Sequence, residues 1–122
     1  MIKVLLADDH ALLRGSLKQL LDDTGFVQVV AQAGEYSEIM KAMTCHTIDL
    51  AILDISMPGK NGVDIVKILK DKYPALKILM LSMHPEDQYA VRCLKAGASG
   101  YLTKNTAPEK LVDAIQVIAA GS

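Results

Sequence analysis

Side chains capable of chemistry follow four apolar runs of this 122-residue sequence, at the points where the runs end. Asp8 and Asp9 follow the first run, Asp54 follows the third, Ser82 follows the fourth, and Lys104 comes shortly after the fifth. In open parallel sheets, ligands bind beyond the carboxyl ends of the strands. These five side chains are therefore candidates for a single site.

Carboxylates at that spacing favour cation and phosphoryl chemistry. Two charges about 5 Å apart repel by about 3 kcal/mol at an effective dielectric constant of about 20. Lys104 offsets part of the repulsion and Mg²⁺, which prefers oxygen ligands, offsets more. With Mg²⁺ bridging to a phosphoryl oxygen, Asp54 could act as a carboxylate nucleophile. Lys104 and the Ser82 hydroxyl would balance charge on the other phosphoryl oxygens.

A regular alternation of apolar runs and helical stretches must position these residues. The runs, rich in Val, Ile and Leu, predict strands buried on both faces; they are Ile2–Ala7, Val27–Ala33, Leu50–Leu53, Ile78–Leu81 and Tyr101–Leu102. Spacings of three and four residues predict five helices; their apolar sets are Leu13, Leu17, Leu20 and Leu21; Ile39, Met40 and Met43; Ile65, Val66 and Leu69; Ala90, Val91 and Leu94; and Leu111, Ile115 and Ile118.

Five strands alternating with five helices predict an α/β fold, a flavodoxin-like (βα)5 doubly wound parallel sheet. We expect the strand order 2-1-3-4-5, which makes the first and third strands neighbours and brings the three carboxylates to one edge.

Length and composition narrow the function classes. One domain fits 122 residues. A net charge of -1, an aromatic content of 4% and the lack of Trp argue against nucleic-acid binding by this domain. Cys45 and Cys93 form no metal-spaced cluster and are expected to be reduced thiols. The first apolar run is too short for a signal peptide or membrane span, so we expect a cytoplasmic protein.

The ordered set of motifs resembles the receiver domain of bacterial two-component response regulators over essentially the whole chain. The set comprises Asp8-Asp9, Asp54 with Met57-Pro58 and Gly62, Ser82, and Tyr101 with Lys104. The stretches Leu81-Ser82-Met83-His84 and 96–104 are most similar to the NarL/FixJ class, whose full-length members carry a LuxR-type helix-turn-helix domain.

The resemblance implies a role for each residue. Asp54 would accept phosphate from a phosphohistidine of a sensor histidine kinase. Asp9 and Asp54 would ligate Mg²⁺, with Asp8 contributing through water and Ser56 through its backbone carbonyl. Lys104 would hold the phosphoryl group in place.

The switch residues follow from the same resemblance. Ser82 would move toward the phosphoryl group and Tyr101 would turn inward behind it, changing the face made by helix 4, strand 5 and helix 5. Such a receiver phosphorylates and dephosphorylates itself without turning over a metabolite.

The resemblance also predicts the domain's context. Residues 1–122 would form one receiver domain, taken from a longer transcription regulator with a C-terminal DNA-binding domain; a stand-alone receiver is the alternative. The expected partners are the kinase, that output domain and a second copy in a phosphorylation-dependent homodimer, with no membrane and no direct nucleic-acid contact.

Two positions depart from the commonest receiver pattern. Asn105 follows Lys104 where Pro is frequent, so a cis peptide is not assumed there. Met83 follows Ser82 where Ala or Gly is frequent, and its bulk could restrict access to the site. Both departures leave the rate of phosphate loss open.

Other functions stay open at this point. A phosphohydrolase of the haloacid dehalogenase type would need an acid at the position of Ser56, and an FMN-binding flavodoxin would face repulsion from Asp8 and Asp9. A receiver-like module that binds partners without phosphorylation would also share the fold.

Several residues have ordinary structural interpretations. Asp8 or Asp9 could cap the first helix, and His10 is expected to cap or solvate the same helix start. None of the three His has a metal-spaced partner, so no zinc site is predicted. Lys67, Lys70 and Lys72 are expected to be solvated, and Gly15 either permits close packing or weakens its helix.

Overall fold

Alternating strands and helices build the molecule in a computed structural model that describes residues 1–54, 61–82, 88–103 and 108–121. The strands are β1 (Ile2–Ala7), β2 (Val27–Ala33), β3 (Leu50–Asp54), β4 (Lys77–Ser82) and β5 (Gly100–Thr103). The helices are α1 (Ala11–Asp22), α2 (Tyr36–Cys45), α3 (Gly62–Lys72), α4 (Gln88–Ala96) and α5 (Pro108–Ala119).

The sheet is parallel throughout and has the order β2-β1-β3-β4-β5. The predicted fold and strand order are therefore confirmed. The last three strands each extend beyond the apolar run, because backbone pairing continues into the polar residue at the carboxyl end. Asp54 pairs with Leu81, and Ser82 pairs with Thr103.

Two apolar cores cover the faces of the sheet, because successive strand side chains point to opposite sides. Leu5, Leu53 and Met80 pack on the side of α2, α3 and α4. Leu6 and Ile52 pack on the side of α1 and α5. All five of these side chains are at most 1% exposed. The buried strands therefore hold in fixed positions the polar residues at their carboxyl ends.

The apolar face predicted for α4 is partly wrong. Val91 and Leu94 are 51% and 47% exposed, whereas Cys93, which the pattern left out, is fully buried. Cys93 packs in the apolar core together with residues of α2 and α3. Ala90 gives no test, since its side chain lies outside the described part.

The α4–β5 turn depends on Gly97 and on Lys70 of α3. Gly97 has φ +122, and a Cβ there would lie 2.8 Å from Cγ of Lys70. The Lys70 ammonium donates to the carbonyls of Pro74 and Leu76 at 2.8 and 2.9 Å. Lys70 is therefore half-buried and hydrogen-bonded, whereas Lys67 and Lys72 are exposed as expected.

Gly97→Ala is expected to lower the free energy of unfolding by about 1–3 kcal/mol, because it combines backbone strain with a clash against a tethered side chain. Urea denaturation measures this. Gly15→Ala is the matched control: a Cβ at Gly15 meets nothing within 4 Å. That variant should gain about 0.5–1 kcal/mol. A Gly97→Ala chain as stable as the native one would contradict the turn geometry.

Strand β2 lies at one edge of the sheet and carries an irregularity. Val4 pairs with Val29 but Leu5 pairs with Ala31, so Val30 is passed over as a bulge. The backbone N–H of Val29 donates to Asp22 Oδ1 at 2.9 Å, and Lys18 Nζ lies 2.6 Å from Asp22 Oδ2. These two interactions fasten the end of α1 to the edge strand.

Asp22 should make stability depend on pH. The hydrogen bond from Lys18, then that from Val29, lowers the pKa of Asp22 from its ordinary 3.8. A lowered folded-state pKa contributes stability above the unfolded value that is lost as pH falls through the folded one. Asp22→Asn should therefore cost up to about 1 kcal/mol at pH 7 and progressively less below pH 4. Urea titrations across that window measure it.

Asp23→Asn serves as the matched control for this effect, because Asp23 is the neighbouring exposed acid. It should show no comparable pH-dependent loss. An equal cost of Asp22→Asn at neutral and acidic pH would rule out the electrostatic explanation.

Every helix in the described ranges is too short or too polar to cross a bilayer. Cys45 and Cys93 form no disulfide with each other, and the first is exposed whereas the second is buried.

Candidate functional site

Two buried carboxyl groups lie at the carboxyl edge of the central strands. Ala7 is paired with Leu53, so the next residues, Asp8 and Asp54, lie side by side at the carboxyl edge of the sheet. Each is only 1% exposed. Because the carboxyl ends of these adjacent parallel strands are aligned, two residues that are 46 positions apart in sequence come together.

Asp9 and His10 complete the group on its solvent side. Ligand atoms of Asp8, Asp9, His10 and Asp54, one from each, all lie within 4.8 Å of one another. Asp9 is 33% and His10 63% exposed in their side chains. The predicted convergence of Asp8, Asp9 and Asp54 is therefore observed, with an imidazole added at the entrance.

His10 lies exposed at the start of α1, where it was expected to cap or solvate the helix. His10 itself is the N-cap residue, and its side chain makes no capping hydrogen bond. Its backbone N–H instead donates to Asp8 Oδ1 at 2.8 Å. Its Nδ1 lies 3.2 Å from Asp8 Oδ1 and 3.1 Å from Asp9 Oδ1. Asp8 thus accepts a hydrogen bond from the backbone at the start of α1 and also belongs to the acidic group.

Arg14 supports the loop that carries the acid pair. Its Nη1 donates to the backbone carbonyl of Asp8, and its Nε donates to Gln32 Oε1 at 3.1 Å. The first turn of α1 is thereby linked to both β1 and β2. The sequence interpretation missed Arg14. The available signal was an arginine six positions after Asp8, in the predicted first helix, whose long side chain can extend back to the loop.

Ser82 and Tyr101 occupy the two strands on the other side of Asp54. Ser82 is 1% exposed and ends β4, one residue beyond the partner of Asp54. Tyr101 is half-buried in β5 and packs against the core on the side of α2, α3 and α4. Both thus lie at the strand positions predicted for them.

Two predicted site residues, Ser56 and Lys104, lie outside the described residues. So do the predicted motif residues Met57, Pro58, Met83 and His84, and the peptide between Lys104 and Asn105.

The donor set suits a hard divalent cation. Three carboxylates contribute oxygen ligands of the kind that Mg²⁺ selects, and the open side at Asp9 leaves room for the waters that it retains. Burial of Asp8 and Asp54 strengthens their mutual repulsion, and a cation would relieve it. The described geometry is therefore compatible with magnesium.

The model of the response regulator receiver domain matches residues 4–116, a span that contains every residue of this pocket. The chain belongs to the response regulator receiver family. Its flavodoxin-like architecture and its acidic edge are those that the sequence resemblance predicted.

Curated relatives of this receiver include response regulators of known name. It is 35% identical to the response regulator UvrY of Escherichia coli over 121 residues, which are 99% of this chain and 56% of that protein. The receiver therefore spans about half the length of the curated relatives it matches.

Solved structures agree with that placement. A two-component response regulator of the LuxR family from Aurantimonas sp. superposes with a TM-score of 0.92 at 33% identity, covering 98% of this chain and 85% of that one. The isolated receiver domain of RcsB from Salmonella enterica, studied with the phosphomimetic BeF3−, gives 0.92 at 25% identity, covering 99% and 90%. The predicted NarL/FixJ (LuxR-type) class is confirmed.

Proposed function

We propose that this receiver is a phospho-accepting signalling switch whose acceptor is Asp54. The observation that carries the proposal is the position of Asp54, a buried carboxylate at the end of the central strand with Asp8 and Asp9 beside it. A carboxylate oxygen of Asp54 attacks phosphorus, the phosphorus–nitrogen bond of a phosphohistidine breaks, and its electron pair returns to the imidazole.

Magnesium, when bound, supplies positive charge next to the phosphoryl oxygens and the acids. We assign its direct ligands to Asp9 and Asp54, with Asp8 acting through water and Ser56 through its backbone carbonyl. The compatibility of the donor set supports the cation site, and the use of a phosphomimetic with RcsB supports phosphorylation of the receiver. Arg14 keeps the Asp8 backbone in place while the cation is exchanged.

Lys104 and Ser82 are the proposed partners of the remaining phosphoryl oxygens, since Ser82 ends the strand next to Asp54. Tyr101 lies one strand further out and would move inward when Ser82 does. This movement would alter the face where Val91 and Leu94 of α4 are exposed. That face would carry the signal to an output domain or to a second copy in a homodimer.

The proposed partners follow from the relatives. A sensor histidine kinase would donate the phosphoryl group, and a C-terminal DNA-binding domain of the parent protein would receive the signal in the cytoplasm. The LuxR-family neighbour and the greater length of UvrY support a transcriptional output. The receiver itself would contact neither DNA nor membrane.

Incubation with Mg²⁺ and acetyl phosphate tests the proposal. The intact mass should rise by one phosphoryl unit, and the gain should be absent when EDTA replaces Mg²⁺. An unchanged mass under saturating donor would overturn the proposal. Continuous release of phosphate from a panel of phosphate esters would instead support the phosphohydrolase.

A further inference from the structure

The imidazole of His10 lies beside Asp9, a proposed direct ligand of the cation, and Asp8, which is proposed to act through water. Its Nδ1 is 3.2 Å from Asp8 Oδ1 and 3.1 Å from Asp9 Oδ1. The side chain is 63% exposed, so it can shift slightly without disturbing the core. Asp54 completes a group of four donors within 4.8 Å.

The separation between His10 Nδ1 and Asp9 Oδ1 matches that between two ligands of one metal ion. Neighbouring donors of an octahedral Mg²⁺ at 2.0–2.1 Å lie about 2.9 Å apart. Donors of a tetrahedral Zn²⁺ at similar lengths lie about 3.3 Å apart. The 3.1 Å from His10 Nδ1 to Asp9 Oδ1 falls between these values. In the absence of a cation, the two Nδ1–oxygen distances allow Nδ1–H to donate to the carboxylates.

The donor types differ in what they select. Carboxylate and water ligands suit Mg²⁺, whereas imidazole suits Co²⁺, Ni²⁺ and Zn²⁺, whose affinities for nitrogen sites are higher. An Nδ1 lone pair becomes available when the ring proton lies on Nε2 instead, and the His10 side chain is exposed enough for the ring to exchange that proton with solvent.

We propose that His10 is a metal-specificity residue: its Nδ1 becomes an additional ligand when a first-row transition-metal ion occupies the acidic site, but not when Mg²⁺ does. The site thereby binds such ions more tightly than its carboxylates alone would. This inference rests on the proposed cation site and extends it to a second class of ion.

Calorimetric titration with Co²⁺ and, separately, Mg²⁺ tests the inference on native protein, His10→Gln and His46→Gln. His10→Gln should weaken Co²⁺ binding about 10-fold or more and change Mg²⁺ binding less than about 3-fold. The visible absorption of bound Co²⁺ should also change. His46→Gln is the matched control, since His46 is exposed beyond α2, and it should behave like native protein.

The outcomes separate this inference from the proposed function. Unchanged Co²⁺ affinity in His10→Gln, or equal losses for both ions, would overturn the role of His10 and leave the magnesium site standing. A native protein that binds Co²⁺ through His10 but does not bind Mg²⁺ would support the inference and overturn the magnesium assignment. Binding of neither ion would overturn both.

Discussion

Asp54→Asn is expected to abolish phosphoryl uptake from acetyl phosphate, with no mass gain under conditions that modify the native receiver completely. The amide is isosteric but lacks the nucleophilic carboxylate oxygen. It occupies the same buried position at the end of β3, where Asp54 is 1% exposed. Intact-mass spectrometry over a time course measures the effect.

Asp71→Asn is the matched control, an identical chemical change at an exposed acid of α3. It should take up phosphate like native protein. Far-ultraviolet circular dichroism of Asp54→Asn should show native secondary structure. Phosphoryl uptake retained by this variant, or label mapped to another residue, would be incompatible with Asp54 as acceptor.

Asp9→Asn should lower both Mg²⁺ affinity and the phosphorylation rate by about 100-fold or more, since loss of a direct ligand exceeds the 10- to 100-fold cost of losing its supporting contacts. The rate should recover partly at high Mg²⁺, because Asp8 and Asp54 remain. Rates measured against Mg²⁺ concentration test this, with Asp113→Asn, an exposed acid of α5, as the control.

Thermal unfolding distinguishes this effect from damage to the fold. In EDTA, Asp9→Asn should be at least as stable as native protein, because one of three mutually repelling charges is gone. With Mg²⁺ at ten times its dissociation constant, only the native protein and the control should gain about 1.4 kcal/mol. A variant that still gains this stabilisation would remove Asp9 from the ligand set.

The sequence predicted the site because its acids directly follow apolar runs. Once Ile52 and Leu53 are assigned to a strand buried on both faces, right-handed crossovers leave a few topologies. Of these, the expected order 2-1-3-4-5 places Asp54 beside Asp8, as observed. No side-chain detail is needed for this step. The ends of β3, β4 and β5 were missed by one residue, because a polar residue at a buried strand end still pairs through its backbone.

Other features depend on tertiary contacts that periodicity does not contain. The sequence pattern predicts that Lys70 is a surface charge. In the fold, its ammonium donates to the backbone carbonyls of Pro74 and Leu76 in the loop after α3. The placement of His10 depends on the rotation of α1, which Arg14 fixes through its hydrogen bond to Asp8. The burial of Cys93 likewise follows from how α4 seats on α3.

The bulge and the Asp22 contact at β2 have a consequence for solubility at high concentration. An edge strand with free amides in regular register is a template for aggregation with strands of other molecules. Here the amide of Val29 is already engaged and the pairing repeat is broken at Val30. For a strand of another molecule to pair with β2 at Val29, the hydrogen bond between Val29 and Asp22 would first have to break. This requirement disfavours aggregation through β2.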